Sequence, residues 1–257
     1  MYEGEKMVPY KFRRAVLTVI SIILLVYSLV KIGIWVKENS ESKAIEADYI
    51  DQAFIMADSS YSEENAEENS VAEETLKLDM DFLKSKNDST RGWIKVNGTN
   101  INYPVVQAED NDYYLTHSFY KTYSGVGWVF ADYRNKFDGK DKNIIIYGHN
   151  RRDGTMFGTL KNILKEEWYN NNSTIQYYDE SGLRECKIFA VYRVPKEDYY
   201  ITTSFSDDET YADFIKTIKD RSWKDFGVEV TTENKILTLS TCANDNRYRV
   251  VLHAVFE

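Results

Sequence analysis

Cys242 and Arg249 stand close together near the end of the sequence and could perform nucleophilic chemistry. Residues 236–240 are typical of a strand, residues 243–246 of a turn, and Arg249 opens a second alternating run. A short connection favours antiparallel neighbours, so we predict the thiol and the guanidinium at one end of a hairpin. There the cation would favour the thiolate and bind a developing oxyanion. Taken alone, the pattern fits a small buried cysteine and a surface arginine equally well.

Of the three histidines, His149 has the position that best matches that of Cys242. It ends the apolar run NIIIYGH and precedes a polar loop, and a buried strand can present a catalytic group at its end. His117 lies in an aromatic-rich segment and His253 in the middle of a strand pattern, so both are interpreted as structural. The sequence lacks the close cysteine or histidine pairs typical of zinc sites, and we predict neither a metal site nor a cofactor.

The N-terminal part of the chain is predicted to be a membrane anchor. Residues 15–36 contain one charged residue, Lys31, and reach the ~20 residues that a membrane-spanning helix needs. Basic residues precede this run, which predicts a cytoplasmic N-terminus and an extracellular remainder. The run is longer than the core of a signal peptide and no small-residue cleavage site follows it, which favours an uncleaved anchor.

The charge is distributed unevenly along the chain. Residues 1–37 carry +4 of a total of −9, so residues 38–257 carry −13. A nucleic-acid-binding protein needs a basic face, so this acidic part argues against nucleic acid as a partner. We predict a cytoplasmic N-terminus at 1–14, a transmembrane anchor at 15–36, an acidic, partly helical stalk at 37–75 and a globular domain at 76–257.

Strand-like runs dominate the globular domain. The turn signal NGTN at 97–100 predicts a hairpin between two β-rich runs. Besides the final hairpin, further strands are predicted at 125–132, 142–149, 173–179 and 185–194. Because regular alternation of strands and helices is missing, we predict a mostly β fold, an antiparallel barrel or sandwich with helical insertions.

Helices are few in this domain, and three are predicted. Two are short, at 74–86 and 154–164. The third lies at 206–223, where Ser206 and Glu209 match a capping box. Its apolar stripe follows the helical period and consists of Tyr211, Phe214, Ile215 and Ile218.

Three segments around the candidate residues resemble those of the sortases, membrane-anchored cysteine transpeptidases of Gram-positive bacteria. They are LTLSTC, which ends at Cys242 and precedes an arginine that opens the next strand, IIIYGHN around His149, and GWVFADYRN at 127–135. The similarity covers residues 76–257 and is greatest to class B sortases, to which the insertion with the helix at 206–223 also points. It implies a closed sortase-type β-barrel of about eight strands, with N-terminal helices and a helix before the strand of the catalytic cysteine.

The resemblance also implies roles for individual residues. By motif, Cys242 is the nucleophile, His149 the general acid and Arg249 the arginine that stabilises the oxyanion. Arg247 is a rival for the last role, since a shift of two residues keeps the same strand face. The residues that flank these positions and are candidates for substrate binding are Tyr147, Asn150, Ser240 and Thr241.

The implied reaction is the cleavage of an NPQTN-like C-terminal sorting motif in secreted proteins through a thioester on Cys242. The acyl group then passes to an amine of a peptidoglycan precursor or cross-bridge, which anchors the protein to the cell wall. A cysteine hydrolase, a pilin-polymerising sortase and a non-enzymatic surface protein with a Cys186–Cys242 disulfide are the alternatives. Cys186 matches no motif of the family and is interpreted as a structural thiol.

Overall fold

The computed structural model describes residues 10–56, 76–171, 174–242 and 248–257. The chain divides into two compact units, Met1–Lys43 and Ala44–Glu257. Three predicted features lie partly or wholly outside the described residues. They are the cytoplasmic N-terminus up to residue 9, the stalk beyond residue 56 and the turn of the final hairpin, which contains Arg247.

One helix, α1 at Tyr10–Ala53, contains the predicted anchor and the first part of the predicted stalk. Its segment Tyr10–Ala44 is long and apolar enough to cross a membrane, with a mean hydropathy of 2.5 over its most apolar stretch. None of that stretch is buried in the protein, and the large apolar side chains from Tyr10 to Val36 are exposed. Such a continuous apolar surface suits a helix that faces lipid.

In the described part of the second unit, eight strands close into a barrel. They are β3 (Thr90–Val96), β4 (Asn102–Val106), β5 (Phe130–Ala131), β6 (Asn143–His149), β7 (Thr174–Asp179), β8 (Gly182–Pro195), β9 (Ile236–Cys242) and β10 (Tyr248–Phe256). Around the barrel they follow the order β10-β8-β7-β3-β4-β5-β6-β9. The predicted closed barrel of about eight strands is confirmed, and so is the hairpin of β3 and β4.

The remaining elements are short. A two-stranded sheet pairs β1 (Phe54–Met56) with β2 (Leu76–Leu78). The helices after α1 that the structure describes are α2 (Met80–Lys86), α3 (Glu166–Asn171) and α4 (Asp208–Asp220). Single turns of 3₁₀ helix lie at Tyr113–Leu115, Leu160–Leu164 and Tyr199–Ile201.

Three predicted elements differ from the structure. The run at 125–132 forms a strand only at β5, because Gly127 has a positive φ of 65° and Trp128 donates its backbone N–H to Tyr114 instead of to a strand. Within the predicted helix at 74–86, Leu76–Leu78 form β2, and α2 begins only after Asp79, which accepts the N–H of Phe82 as the N-cap. The predicted helix at 154–164 is reduced to the 3₁₀ turn at its end.

Helix α4 has a different cap from the one predicted. The capping box of Ser206 and Glu209 is wrong, because Asp207 is the N-cap and accepts the backbone N–H of Thr210 at 2.8 Å. A carboxylate at this position also interacts favourably with the positive end of the helix dipole. The predicted apolar stripe is confirmed, since all four of its side chains are buried together with residues of β8, β9 and β10.

Most neighbouring strands are antiparallel, as predicted, but β4–β5 and β6–β9 are parallel pairs. The strands β9 and β10 are buried on both faces. Leu237, Leu239 and Leu252 belong to the large core cluster, whereas Val251 and Val255 belong to the cluster beneath α4. Burial on both sides explains why most of β10, from Val250 onward, is a nearly continuous apolar run.

Cys186 lies far from the C-terminal ends of β6 and β9, where His149 and Cys242 stand. It pairs with Phe256 on β10, whereas Arg249 pairs with Val194 at the other end of β8, about 20–25 Å along the strand. The Cys186 side chain is fully buried and its thiol is free. The alternative of a Cys186–Cys242 disulfide is therefore wrong.

Burial raises the pKa of the Cys186 thiol well above its usual value, so we expect this thiol to be unreactive in the folded chain. A Cys242→Ala chain in detergent micelles should resist iodoacetamide and should gain one label after denaturation in guanidinium chloride, counted by mass spectrometry. The matched control, Cys186→Ala, should take up label without denaturant. Rapid labelling of the folded Cys242→Ala chain would contradict the assignment of Cys186 as a buried structural thiol that the reagent does not reach.

Candidate active site

The strands β6 and β9 end on direct neighbours, His149 and Cys242. Their Cα atoms are partners in the parallel ladder, and adjacent strands lie about 4.8 Å apart. The same register holds along both strands from the pair Asn143 and Ile236 onward. Because a slip of one residue would turn every apolar side chain to the wrong face, the buried runs fix where the two strand ends meet.

Arg249 lies on β10, the other neighbour of β9. The antiparallel ladder between them is aligned at Val251 and Ser240, and continuing this register by two residues sets Arg249 opposite Cys242. The three positions 149, 242 and 249 therefore form one row across three adjacent strands, which we call the catalytic row. The residue Arg249 is only 9% exposed.

The imidazole of His149 is oriented by a backbone carbonyl. Its Nε2 lies 2.8 Å from the carbonyl oxygen of Leu115, and a carbonyl can only accept, so Nε2 carries a proton in this arrangement. The second ring nitrogen, Nδ1, is then the one that can exchange a proton with a reacting group. A base held in a fixed orientation by a third group is the usual requirement for activating a cysteine nucleophile.

Gly127 provides the space for this ring. At a φ of 65° it adopts a backbone conformation that side chains disfavour, and a Cβ there would lie 2.8 Å from His149 Cδ2 and 2.7 Å from Tyr114 O. Trp128 N donates to the same carbonyl of Tyr114 at 2.9 Å, which holds the turn containing Leu115 in place. The segment before β5 therefore acts as a support for the imidazole.

The guanidinium of Arg249 lacks an acidic partner among the described residues. Its one hydrogen bond there runs from Nη1 to the carbonyl oxygen of Tyr248 at 3.3 Å. By contrast, Arg134 and Arg151 each form an ion pair with an aspartate. A largely buried cation with donors to spare favours binding of an anion, including an oxyanion that forms during a reaction.

The family model described as a sortase domain matches residues 94–257. A curated relative, sortase B of Listeria monocytogenes, is 35% identical over 234 residues, which make up 90% of each chain. This chain belongs to the sortase family. Its relatives named sortase B are class B enzymes, and sortases are cysteine transpeptidases, so this chain is a sortase-type cysteine transpeptidase.

Solved sortase B structures share this fold. The Bacillus anthracis enzyme in complex with AAEK1 has a TM-score of 0.72 and 32% identity, covering 86% of this chain and 98% of its own. A Staphylococcus aureus sortase B–substrate complex has a TM-score of 0.66 and 34% identity over 69% of this chain and 83% of its own. A sortase B complexed with triglycine has the same TM-score and identity, covering 69% of this chain and 84% of its own.

The four candidate substrate-binding residues of this sortase lie beside the catalytic row. Asn150 follows β6, forms an isolated bridge with Met156 and is half-buried. The other three candidates carry hydroxyl groups, and each of these forms a hydrogen bond inside the protein. Tyr147 donates to Asp132 Oδ2 at 2.7 Å, Ser240 Oγ lies 3.0 Å from the hydroxyl of Tyr200, and Thr241 Oγ1 accepts the N–H of Val250 at 3.0 Å.

Asp132 connects several of these contacts. It is fully buried and pairs with Arg134, whose Nη2 also donates to the carbonyl of Ile201 at 2.8 Å. Burial alone would raise the pKa of this carboxyl, but hydrogen bonds from Arg134 and Tyr147 outweigh it, and the pKa is lowered. The carboxylate therefore stays charged and ties β6 to the segment around Ile201.

Sequence reasoning did not identify four residues that support this site. Gly127 and Asp132 belong to the segment GWVFADYRN, so the family signal included them without indicating a role. Leu115 acts through its carbonyl oxygen, which leaves no mark on residue type. Tyr200 comes from the insertion between β8 and β9, and an aromatic residue in a loop has no distinctive spacing.

We expect Gly127→Ala to lower kcat/KM for peptide cleavage by about 10–100-fold, because the new methyl group would displace the His149 ring and the Leu115 carbonyl. The matched control is Gly139→Ala, since Gly139 has a φ of 80° but nothing lies within 4 Å of its Cβ position. Both variants should lose roughly 1–2 kcal/mol of stability through backbone strain. Equal activity in the two variants would contradict the role of Gly127.

Proposed function

We propose that this sortase anchors secreted proteins to the cell wall, with Cys242, His149 and Arg249 as its catalytic residues. The substrate is a C-terminal sorting signal with an NPQTN-like motif, and the acceptor is an amine of a peptidoglycan precursor or cross-bridge. The observation that carries this proposal is the catalytic row, in which three adjacent strands bring together positions far apart in the sequence.

The first half of the reaction forms a thioester. His149 Nδ1 takes the proton of the Cys242 thiol, and the sulfur forms a bond to the carbonyl carbon of the scissile peptide. The carbonyl oxygen becomes an oxyanion, which the guanidinium of Arg249 stabilises. When the carbon–nitrogen bond breaks, the imidazolium of His149 returns its proton to the leaving amine, and the thioester remains on Cys242.

The second half transfers the acyl group. The acceptor amine attacks the thioester carbon, Arg249 stabilises the second oxyanion, and His149 takes the proton that the amine loses. Collapse of this intermediate forms the new amide bond and releases the sulfur, which regains a proton from His149. The complex of a related sortase B with triglycine supports a peptide with a free amine as the kind of acceptor.

The side chains beside the row would shape the substrate site. Asn150 is the half-buried member of the four candidates and directly follows His149, so it would contact a peptide bound beside the row. The hydroxyl groups of Tyr147, Ser240 and Thr241 form hydrogen bonds inside the protein, so they would act by holding the strand ends that carry the row. The sortase B–substrate complex of a relative supports a peptide as the kind of substrate.

The cell membrane is the proposed location. The exposed apolar surface of α1 supports a single span at residues 15–36, and the basic residues before it support a cytoplasmic N-terminus at 1–14. The stalk at 37–75 and the catalytic domain at 76–257 would then lie outside the cell, where both the secreted substrates and the cell-wall amines are found.

We expect the full-length protein in detergent micelles to join an NPQTN-containing peptide to triglycine, with the amide product identified by mass spectrometry. Cys242→Ala should form no product, and Arg249→Ala should lower kcat/KM by about 10²–10³-fold through loss of an oxyanion donor. Arg247→Ala is the matched control and should stay within a few-fold of the unmodified chain.

Two results would contradict the proposal. A larger loss in Arg247→Ala than in Arg249→Ala would assign the oxyanion role to the rival arginine. Release of the peptide only as a free acid in the presence of triglycine would indicate a hydrolase.

A further inference from the structure

A chain of buried polar side chains lies beneath the catalytic row and has no part in the proposed chemistry. Its centre is His253, which is fully buried. The His253 Nε2 lies 2.8 Å from the hydroxyl of Tyr192, and Nδ1 lies 2.8 Å from Thr238 Oγ1. Thr238 in turn donates to Asn143 Oδ1 at 2.6 Å, and Asn143 Nδ2 donates to the carbonyl of Thr202 at 2.9 Å. We call the side chains of Tyr192, His253, Thr238 and Asn143 the polar chain.

Each hydrogen bond in the polar chain has a definite direction. Thr238 gives its single hydroxyl hydrogen to Asn143, so it must accept from His253 Nδ1–H. The Nε2 atom then carries no proton and accepts from the hydroxyl of Tyr192. Burial, with a smaller contribution from the charge of Arg221, lowers the pKa of His253 to about 3, so the ring stays neutral at physiological pH.

The polar chain crosses the strands that carry the catalytic row. Tyr192 is on β8, His253 on β10, Thr238 on β9 and Asn143 on β6. Thr238 stands four residues before Cys242 on the same strand, roughly 13 Å away. A set of directional bonds across four neighbouring strands restricts how these strands can slide past one another, whereas apolar packing alone is non-directional.

His253 also sits at an irregularity of the ladder. On β8 its partner is Ala190, yet the next residue, Ala254, pairs with Ile188, so Phe189 is an extra residue in a β-bulge. Phe189 and Ala190 both belong to the cluster beneath α4, although consecutive strand residues normally face opposite sides. The bulge therefore shifts the alternation of β8 by one residue.

This shift determines which side chains of β8 lie on the same face of the sheet as Arg249. Beyond the bulge, Tyr192 and Val194 belong to the cluster beneath α4, and Val194 is the partner of Arg249. If the bulge were lost, the register of β8 against the end of β10 would change by one residue. Arg249 would then no longer lie opposite Val194.

We propose that His253 is a positioning residue, which through the polar chain holds the bulge between β8 and β10 and thereby keeps Arg249 aimed at the reacting carbonyl. The inference rests on the proposed role of Arg249 in stabilising the oxyanion. His253 is fully buried, and the bulge beside it lies between β8 and β10, so we assign its effect to Arg249. Loss of the polar chain should therefore affect the transition state more than the binding of substrate.

The test is a double-mutant cycle between His253 and Arg249 in the full-length protein, measured as peptide cleavage. His253→Phe keeps a ring but removes both hydrogen bonds, and it should lower kcat by about 10–100-fold while KM stays within about threefold. In the Arg249→Ala background the same change should lower kcat by less than about twofold, because there is no guanidinium left to position.

Three further variants distinguish a loss of positioning from a loss of stability. Thr238→Val breaks the polar chain with little change in volume and should behave like His253→Phe, whereas Thr238→Ser keeps the hydroxyl and should restore nearly full activity. Tyr211→Phe is the control, since it removes hydrogen bonds to the carbonyls of Lys142 and Asn234 beneath α4 without touching the polar chain. It should lower the thermal midpoint but not kcat.

The outcomes separate the two proposals. If Arg249→Ala cleaves the peptide as fast as the unmodified chain, the proposed role of Arg249 fails and the inference fails with it. If Arg249→Ala is impaired but His253→Phe lowers kcat equally in both backgrounds, the polar chain contributes only to stability and the inference alone is overturned. The same holds if folded Thr238→Val keeps full activity.

Discussion

The parallel pairing of β6 with β9 is the constraint on which the proposed active site depends. It makes His149 and Cys242 neighbours although they lie far apart in the sequence. Parallel strands end at the same edge of a sheet, so two strand ends meet only if the pairing is parallel and in register. The closed barrel protects that register, because both strands are paired on each side and a slip would move the side chains of β9 between two differently packed clusters.

Neutral groups orient the charged and reactive ones around this edge. The carbonyl of Leu115 holds the imidazole, and the positive φ of Gly127 leaves room for it. Arg249 has no acidic partner among the residues that the structure describes, which leaves its charge available for an oxyanion. The uncharged polar chain around His253 lies in the fully buried interior, where a charge would be costly to bury. The proposed reaction would thus form its negative charge beside the guanidinium of Arg249.

The sequence predicted the parts of this site that depend on local patterns. Alternating and continuous apolar runs predicted β6, β9 and β10 closely, and helical periodicity predicted the buried stripe of α4. The parallel pairing could not be predicted in this way, because it depends on packing between distant segments. The cap of α4 was missed because Ser206 and Asp207 are both good N-caps, and only the position of the first helical turn decides between them. The roles of Leu115 and Gly127 depend on backbone geometry that residue types do not reveal.

The most direct measurement is a crystal structure of the full-length protein with Cys242 linked to a peptidyl chloromethyl ketone based on the sorting motif, whose oxygen occupies the place of the oxyanion. We expect the guanidinium of Arg249 to lie within about 3 Å of that oxygen and His149 Nε2 still to bond to the carbonyl of Leu115. An oxygen bound by other groups, with Arg249 and His149 both more than about 10 Å from the sulfur, would contradict the account.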